Sequence, residues 1–308
     1  MSELKEKVDA ALDRIKHHDP TWFSNKHSFY LAFSGGKDSC VVKRLMDIAG
    51  VEYDAHYRVT SVDPPELVQF IKENHPDVHR DVPRYGTQRG PEWEGKPITM
   101  WNLIPWKNIL PTRILRYCCE ALKEDGGDGR MTVTGVRWAE STRRAQKHGV
   151  VTIYGSKIQK DVADNPYFRL TGNKGAILIS ENAETRDVLD ACVTRNKTCL
   201  NPIVDWTDKD VWDFIKAERI PVCELYHDGF HRLGCIGCPM ASRRERLAQF
   251  ARWPKYKDAY LMAIQKMLEE RTRRGKNNEG AWGGHSERSF ALVAGRRSTA
   301  QTRNHGRI

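Results

Sequence analysis

An apolar run, Phe29-Tyr30-Leu31-Ala32-Phe33, ends in Ser34-Gly35-Gly36-Lys37-Asp38-Ser39, and a helix-forming stretch over residues 38–49 begins at once. Strand, glycine-rich turn and helix in that order constrain the fold more than any other part of the chain. The paired glycines let backbone N–H groups approach an anion closely, and the helix that follows directs its positive end at the same point. Lys37 adds a full charge, and the hydroxyls of Ser34 and Ser39 add donors. Ser34, Gly35, Gly36, Lys37, Asp38 and Ser39 are therefore the expected phosphate-binding residues, with Lys37, Asp38 and Ser39 closest to the chemistry. The spacing is not that of a Walker loop, which separates its first glycine from Gly-Lys by four residues.

The elements around this turn predict an α/β fold. Strand 29–33, helix 38–49 and strand 53–60 form a βαβ unit, which a helix over 65–74 and a short strand near 78–82 extend. Parallel strands joined by helices imply a doubly wound sheet with ligands at the carboxyl ends of its strands. Residues 1–24 read as one amphipathic helix with Leu4, Val8, Leu12 and Ile15 on one face, ended by Asp19-Pro20. Residues 83–111 are rich in Pro, Gly and Trp without a clear period and read as a structured insertion or lid. A helix over 112–123, a strand over 131–136 and a helix around 139–147 follow. A strand at 176–179 and a helix from Thr207 or Asp208 to about Glu218 come next, then two basic helices over 242–252 and 254–274. The tail from Gly275 is expected to be mobile until it meets a partner.

No apolar run approaches the roughly 20 residues that span a membrane, and the charged start is unlike a secretion signal, so a cytoplasmic protein without membrane contact is expected. The net charge of +10 is localised: residues 241–308 hold 16 Lys and Arg against 6 Asp and Glu, and the first 240 residues are balanced. A basic excess confined to one segment suits a polyanionic partner; a solvated helix with a basic tail is the alternative. Eight cysteines without an export signal argue against a disulfide framework and for metal or redox chemistry. Cys118 and Cys119 are adjacent, while Cys235-Ile236-Gly237-Cys238 is a CxxC loop. Four thiolates suit zinc or an iron–sulfur cluster; side chains about 100° apart on a helix straddle a cubane more readily than one ion.

The Ser-Gly-Gly-Lys-Asp-Ser turn resembles the pyrophosphate loop (PP-loop) of the ATP pyrophosphatase superfamily, enzymes that cleave ATP between its α and β phosphates. Arg116-Tyr117-Cys118-Cys119-Glu120-Ala121-Leu122-Lys123 with Gly234-Cys235-Ile236-Gly237-Cys238 is similar to the cluster pattern of the phosphoadenosine phosphosulfate reductase family. Two further blocks agree. Thr134-Gly135-Val136-Arg137-Trp138-Ala139-Glu140-Ser141-Thr142-Arg143-Arg144-Ala145 resembles the family's Gly-x-Arg…Glu-Ser-x-x-Arg block. Asn201-Pro202-Ile203-Val204-Asp205-Trp206-Thr207-Asp208-Lys209-Asp210-Val211-Trp212 resembles its Asp-Trp…Asp-Val-Trp block. The resemblance spans about residues 28–240 and implies a mostly parallel, adenine nucleotide alpha hydrolase-like sheet. The expected division is an N-terminal helix (1–24), this domain (25–240) and a basic helical segment with its tail (241–308).

By this resemblance Arg137 and Arg143 contact phosphate, and Cys118, Cys119, Cys235 and Cys238 hold a 4Fe–4S cluster, with zinc as the alternative. ATP and Mg²⁺ are the implied cofactors. Asp38 is a metal ligand or a first-turn acid; Asp63 meets adenosine or metal, or caps the helix after it. Trp206 and Trp212 read as packing, and Cys40, Cys192, Cys199 and Cys223 as buried small hydrophobes.

The sulfonucleotide reductases carry a degenerate loop and a nucleophilic cysteine in their carboxyl-terminal tail. Here the loop is intact and no cysteine follows Cys238. The iron–sulfur, sulfurtransferase-like branch acting in DNA phosphorothioation is the closer match. It implies ATP pyrophosphatase chemistry that supports sulfur transfer to a nucleic acid, DNA before tRNA, with a cysteine desulfurase as sulfur donor and a homo-oligomeric assembly. Sulfonucleotide reduction and a non-catalytic nucleic-acid-binding regulator are the alternatives.

Overall fold

Four short strands, Phe29–Ala32 (β1), Tyr53–Arg58 (β2), His79–Asp81 (β3) and Met131–Val133 (β4), run parallel in the order β3-β2-β1-β4, with β1 and β4 buried and β3 at the exposed edge. The computed structural model describes residues 2–22, 27–155, 165–171, 175–179, 189–190, 192, 197–276 and 278. The greater part of the tail expected to be mobile, and the loop just before residue 175, lie outside the described residues. Lys197–Leu200 (β8) adds to β4 in parallel. Val151–Tyr154 (β5), Gly175–Leu178 (β7) and Phe168–Leu170 (β6) then extend the sheet antiparallel to eight strands. The sheet is therefore mixed and mostly parallel, an α/β fold as expected.

Described residues pack into two units. The sheet belongs to the first, built from Met1–Arg58, Pro65–Asp81 and Asp125–Leu233. Its helices are Ser2–His17 (α1), Lys37–Ala49 (α2), Pro65–Asn74 (α3), Thr142–Lys147 (α5) and Asp208–Ala217 (α6). α1 is not a separate module: it packs on α2 and α6, and two ion pairs fasten it. Arg14 donates to both carboxylate oxygens of Asp205 at 2.8 Å, and Lys7 lies 2.6 Å from Asp210. The helix ends at His17, short of the expected residue 24, because Pro20 cannot supply the amide that would continue it.

The second unit comprises Val59–Pro64, Val82–Glu124 and Gly234–Ile308. It gathers both cysteine segments with the basic helices, where the sequence suggested a boundary at residue 240. Its helices are Met100–Lys107 (α4), Arg243–Arg252 (α7) and Pro254–Arg273 (α8). α8 packs on α4, with the Tyr260 ring edge-on to Trp101 at 5.2 Å. The helix expected over 112–123 shrinks to one turn, Tyr117–Cys119, which runs into a wide turn at Glu120–Glu124. Thr112 instead closes a local turn: its hydroxyl accepts the amides of Ile114 and Leu115, and its own amide donates to the Leu115 carbonyl at 3.1 Å.

Candidate functional site

From β1 the chain moves outward through β2 to β3, then returns to place β4 on the opposite side of β1. The reversal makes a topological switch point between β1 and β4, where open α/β sheets bind ligands beyond their carboxyl ends. Residues 34–39 follow β1, Thr134–Arg137 follow β4, and Trp206–Asp208 follow β8, the next strand along.

The glycines of the loop have separate reasons. Gly35 has φ +72°, and a Cβ there would stand 2.6 Å from Ile71 Cδ1 and 2.9 Å from Leu67 Cδ1 on α3. Gly135, beyond β4, lies so close to the Asp38 backbone that a Cβ would meet its carbonyl carbon at 3.0 Å. The loops after β1 and β4 thus approach to a distance only glycine allows. Ser39 is buried, Ser34 is exposed, and the two hydroxyls bond within the loop. Ser39 Oγ donates to the Gly36 carbonyl at 2.8 Å and accepts the Ser34 amide at 3.3 Å. Ser34 Oγ bonds Ser39 Oγ at 3.2 Å and accepts the Gly36 amide at 3.4 Å. Ser39 thereby braces the loop from within. The Lys37 amide donates to the Tyr226 hydroxyl at 2.9 Å.

Two cations and two carboxylates close a ring beside this loop. Lys37 Nζ lies 3.0 Å from Asp38 Oδ2 and 3.4 Å from Asp208 Oδ1. Arg137 donates through Nε to Asp38 Oδ1 and through Nη2 to Asp208 Oδ1, each at 2.7 Å, and through Nη1 to the Trp206 carbonyl at 3.1 Å. Arg137 is 1% exposed, the Lys37 side chain 7% and the Asp208 side chain 70%. The Arg137 hydrogen bond holds the Asp208 carboxyl below the usual aspartate range. A buried ammonium and guanidinium with one well-solvated carboxylate between them can exchange that carboxylate for phosphate oxygens.

The expected residues therefore divide. Lys37, Asp38 and Arg137 meet, although Arg137 is held by carboxylates. Arg143 is exposed on α5, while its neighbour Arg144 pairs with Glu140, which also accepts the Arg137 amide at 3.2 Å. Asp63 belongs to the second unit, 3.7 Å from Lys123 Nζ. Trp206 is fully buried and the other four cysteines are buried, as expected. Asp208, Glu140 and Arg144 lie within the family-like blocks of the sequence, which gave them no role at the site; Tyr226 carries no sequence signal.

In the second unit, the CxxC loop is tightly moulded. The Ile236 amide donates to the Val62 carbonyl at 2.7 Å, and the Gly237 amide to Gln249 Oε1 at 2.9 Å. Gly237 has φ +73°, and a Cβ there would stand 2.7 Å from Phe250 Cζ. Cys118 and Cys119 share a hydrogen bond that pushes the first thiol up and pulls the second down, and Arg116 reinforces the second effect. Cys118 also feels the charges of Cys235 and Cys238. Burial pushes Cys235 up to about 12, while Lys123 hydrogen-bonds to it. Arg116 and Lys123 hydrogen-bond to Cys119 and Cys235, and Arg246 feels the charge of Cys238. Among the described residues, no three His, Cys, Asp or Glu side chains are grouped so as to hold a metal ion.

The model of the phosphoadenosine phosphosulfate reductase domain matches residues 28–241. The chain belongs to that family. An uncharacterized protein of Methanocaldococcus jannaschii is 24% identical over 264 residues, covering 81% of this chain and 44% of its own length. The adenosine 5'-phosphosulfate reductase of Burkholderia cepacia is 40% identical over 53 residues, 17% of this chain and 21% of that enzyme. The chain spans about half the length of the curated relatives it matches most extensively. Candida glabrata FMN adenylyltransferase, solved with FAD and inorganic pyrophosphate, superposes over 77% of this chain and 64% of its own, with 13% identity and a TM-score of 0.44. No helix of the described residues is long and apolar enough to cross a membrane.

Proposed function

We propose that this member of the phosphoadenosine phosphosulfate reductase family is an ATP pyrophosphatase that adenylylates an acceptor oxygen in support of sulfur transfer to a nucleic acid, DNA before tRNA. The observation that carries this reading is the Lys37–Asp38–Arg137–Asp208 ring at the switch point, beside an intact Ser-Gly-Gly-Lys-Asp-Ser loop. Lys37 and Arg137 take the phosphate oxygens on which charge collects as pyrophosphate departs. Asp38 offers the carboxylate a Mg²⁺ ion prefers, and such an ion supplies further charge neutralisation. Activation makes the acceptor oxygen a leaving group that a sulfur nucleophile displaces with AMP.

Cys118, Cys119, Cys235 and Cys238 are the residues that would hold a 4Fe–4S cluster, or zinc in its place. Such a cluster supplies electron transfer or structural cross-linking when bound. A cysteine desulfurase is the class of protein that would deliver the sulfur.

Incubation with ATP, Mg²⁺, a persulfide donor and an oligodeoxynucleotide tests the reading, with nuclease digestion and mass spectrometry of the products. Phosphorothioate linkages that appear only with ATP are the expected result. ATP cleavage at the α–β bond with no sulfur in DNA or tRNA would leave an adenylylating enzyme but reject the nucleic-acid acceptor.

The family and the short reductase match favour a second reading, sulfonucleotide reduction. Sulfite release from adenylylsulfate with thioredoxin would establish it. Against it stands the intact Ser34-Gly35-Gly36-Lys37-Asp38-Ser39 loop.

A further inference from the structure

Residues 84–107 form a braced platform in the second unit. The Tyr85 amide donates to the Lys96 carbonyl at 3.0 Å, the Gly95 amide to the Tyr85 carbonyl at 2.9 Å, and Arg84 pairs with Pro97 in a β-bridge. Tyr85 Oη donates to Asn102 Oδ1 at 2.7 Å, which ties the hairpin-like segment to α4. Three rings gather there: Tyr85 is edge-on to Trp93 at 5.6 Å and to Trp106 at 5.3 Å.

The cations of this platform rest on rings. Arg89 Cζ lies 3.2 Å from the Trp93 centroid, 4.5 Å from Tyr85 and 5.5 Å from Trp106. Lys96 Nζ is 5.2 Å from Trp93, and Lys107 Nζ is 4.7 Å from Trp106. Among the described residues none of these three, nor Arg84, has a carboxylate within ion-pair distance; Glu92 acts on Arg89 only through space. The sheet unit treats its buried and half-buried arginines differently: Arg14, Arg130 and Arg137 all bond carboxylates. Lys96, Lys107 and Arg84 are exposed, and Trp93 and Trp106 are half-buried.

We propose that this arginine–tryptophan–lysine platform binds single-stranded nucleic acid, the bases stacking on its planar groups and the phosphates meeting its unpaired cations. Ring-supported positive charge with no carboxylate within ion-pair distance complements a chain that alternates phosphate with an exposed π face. A duplex hides those faces, so the platform selects unpaired strands. The inference rests on the proposed nucleic-acid acceptor and adds its strand state and its contact surface. It is independent of the phosphate loop.

The test is fluorescence anisotropy of the full chain with a labelled single-stranded oligodeoxynucleotide, its duplex and an abasic strand of equal charge. Stacking contributes about 1–3 kcal/mol per base, so Trp93→Ala with Trp106→Ala should weaken single-strand binding roughly tenfold or more and leave abasic binding unchanged. Lys96→Glu with Lys107→Glu alters exposed side chains, which guards against misfolding. It should flatten the dependence of log affinity on log salt by about 1.4 for the two phosphates no longer contacted. Equal affinity for single strand, duplex and abasic strand would overturn the proposal, as would equal competition by polyglutamate or indifference to both variants. ATP turnover, measured alongside without nucleic acid, keeps the two readings apart: its absence would reject the loop chemistry and leave the platform standing.

Discussion

Replacing Asp208 with asparagine opens the ion-pair ring at its most solvated point. Its carboxylate contacts Arg137 at 2.7 Å and Lys37 at 3.4 Å, and its side chain is 70% exposed. Two unit charges at about 4 Å interact by about 4 kcal/mol at an effective dielectric constant of 20, but ion pairs with a solvated partner contribute only about 0–1 kcal/mol each. Both cations are buried, so the two contacts together sit in the upper half of that range, and losing them releases about 1–2 kcal/mol of competition for Lys37 and Arg137. Those cations are the groups assigned to polyphosphate, so Asp208→Asn should bind pyrophosphate and ATP roughly five- to thirtyfold more tightly. Asp208→Glu, which keeps the charge, should not. Isothermal titration without Mg²⁺ reads the effect directly, since no metal then bridges ligand and carboxylate. Unchanged or weaker binding by the asparagine variant would refute the view that Asp208 occupies a phosphate position.

Three further outcomes follow from local geometry. Gly35→Ala places a Cβ at φ +72° and 2.6 Å from Ile71 Cδ1, and should lower stability in urea unfolding by roughly 2–4 kcal/mol; a change under about 0.5 kcal/mol would contradict the strain argument. Asp205 is held below the ordinary aspartate range: burial opposes its ionisation, but Arg14 prevails. The stability it contributes is present above the unfolded value near 3.9 and is lost as pH falls through the lower folded value. Arg14→Ala should cost about 1 kcal/mol at neutral pH and remove that acid-dependent part, whereas parallel stability–pH curves for variant and parent would exclude the pairing. Protein purified anaerobically should contain iron with inorganic sulfide, and alanine at Cys118, Cys119, Cys235 or Cys238 should remove both; zinc in their place, or metal retained by the variants, would rule out the cluster.

The legible parts of the molecule were those where one local signal sufficed. The apolar run over residues 29–33 before Ser34-Gly35-Gly36 located β1 and α2 to within a residue, and the pattern over residues 65–74 matched α3 to the residue. β5, β6 and β8 went unread because each is three or four residues long, too short for a period to show; β5 and β6 pair only with antiparallel neighbours, and β8 joins the parallel β4 to the antiparallel β5. The site divided in the same way. Lys37 and Asp38 were found from their motif. Arg137 lies beside Lys37 and Asp38, but its two carboxylate partners come from 99 and 71 residues away in sequence, so its bonds were not readable. Asp63, expected at the nucleotide, follows β2 in sequence yet packs with the cysteine segments, since residues 59–64 leave the sheet unit.

The most direct measurement is the identity of the products released from ATP by the purified chain and by Lys37→Ala. Pyrophosphate with AMP or an adenylylated acceptor, lost in the alanine variant while its fold persists, is the predicted result. ADP with inorganic phosphate, or equal turnover by both proteins, would contradict a polyphosphate site at the loop after β1.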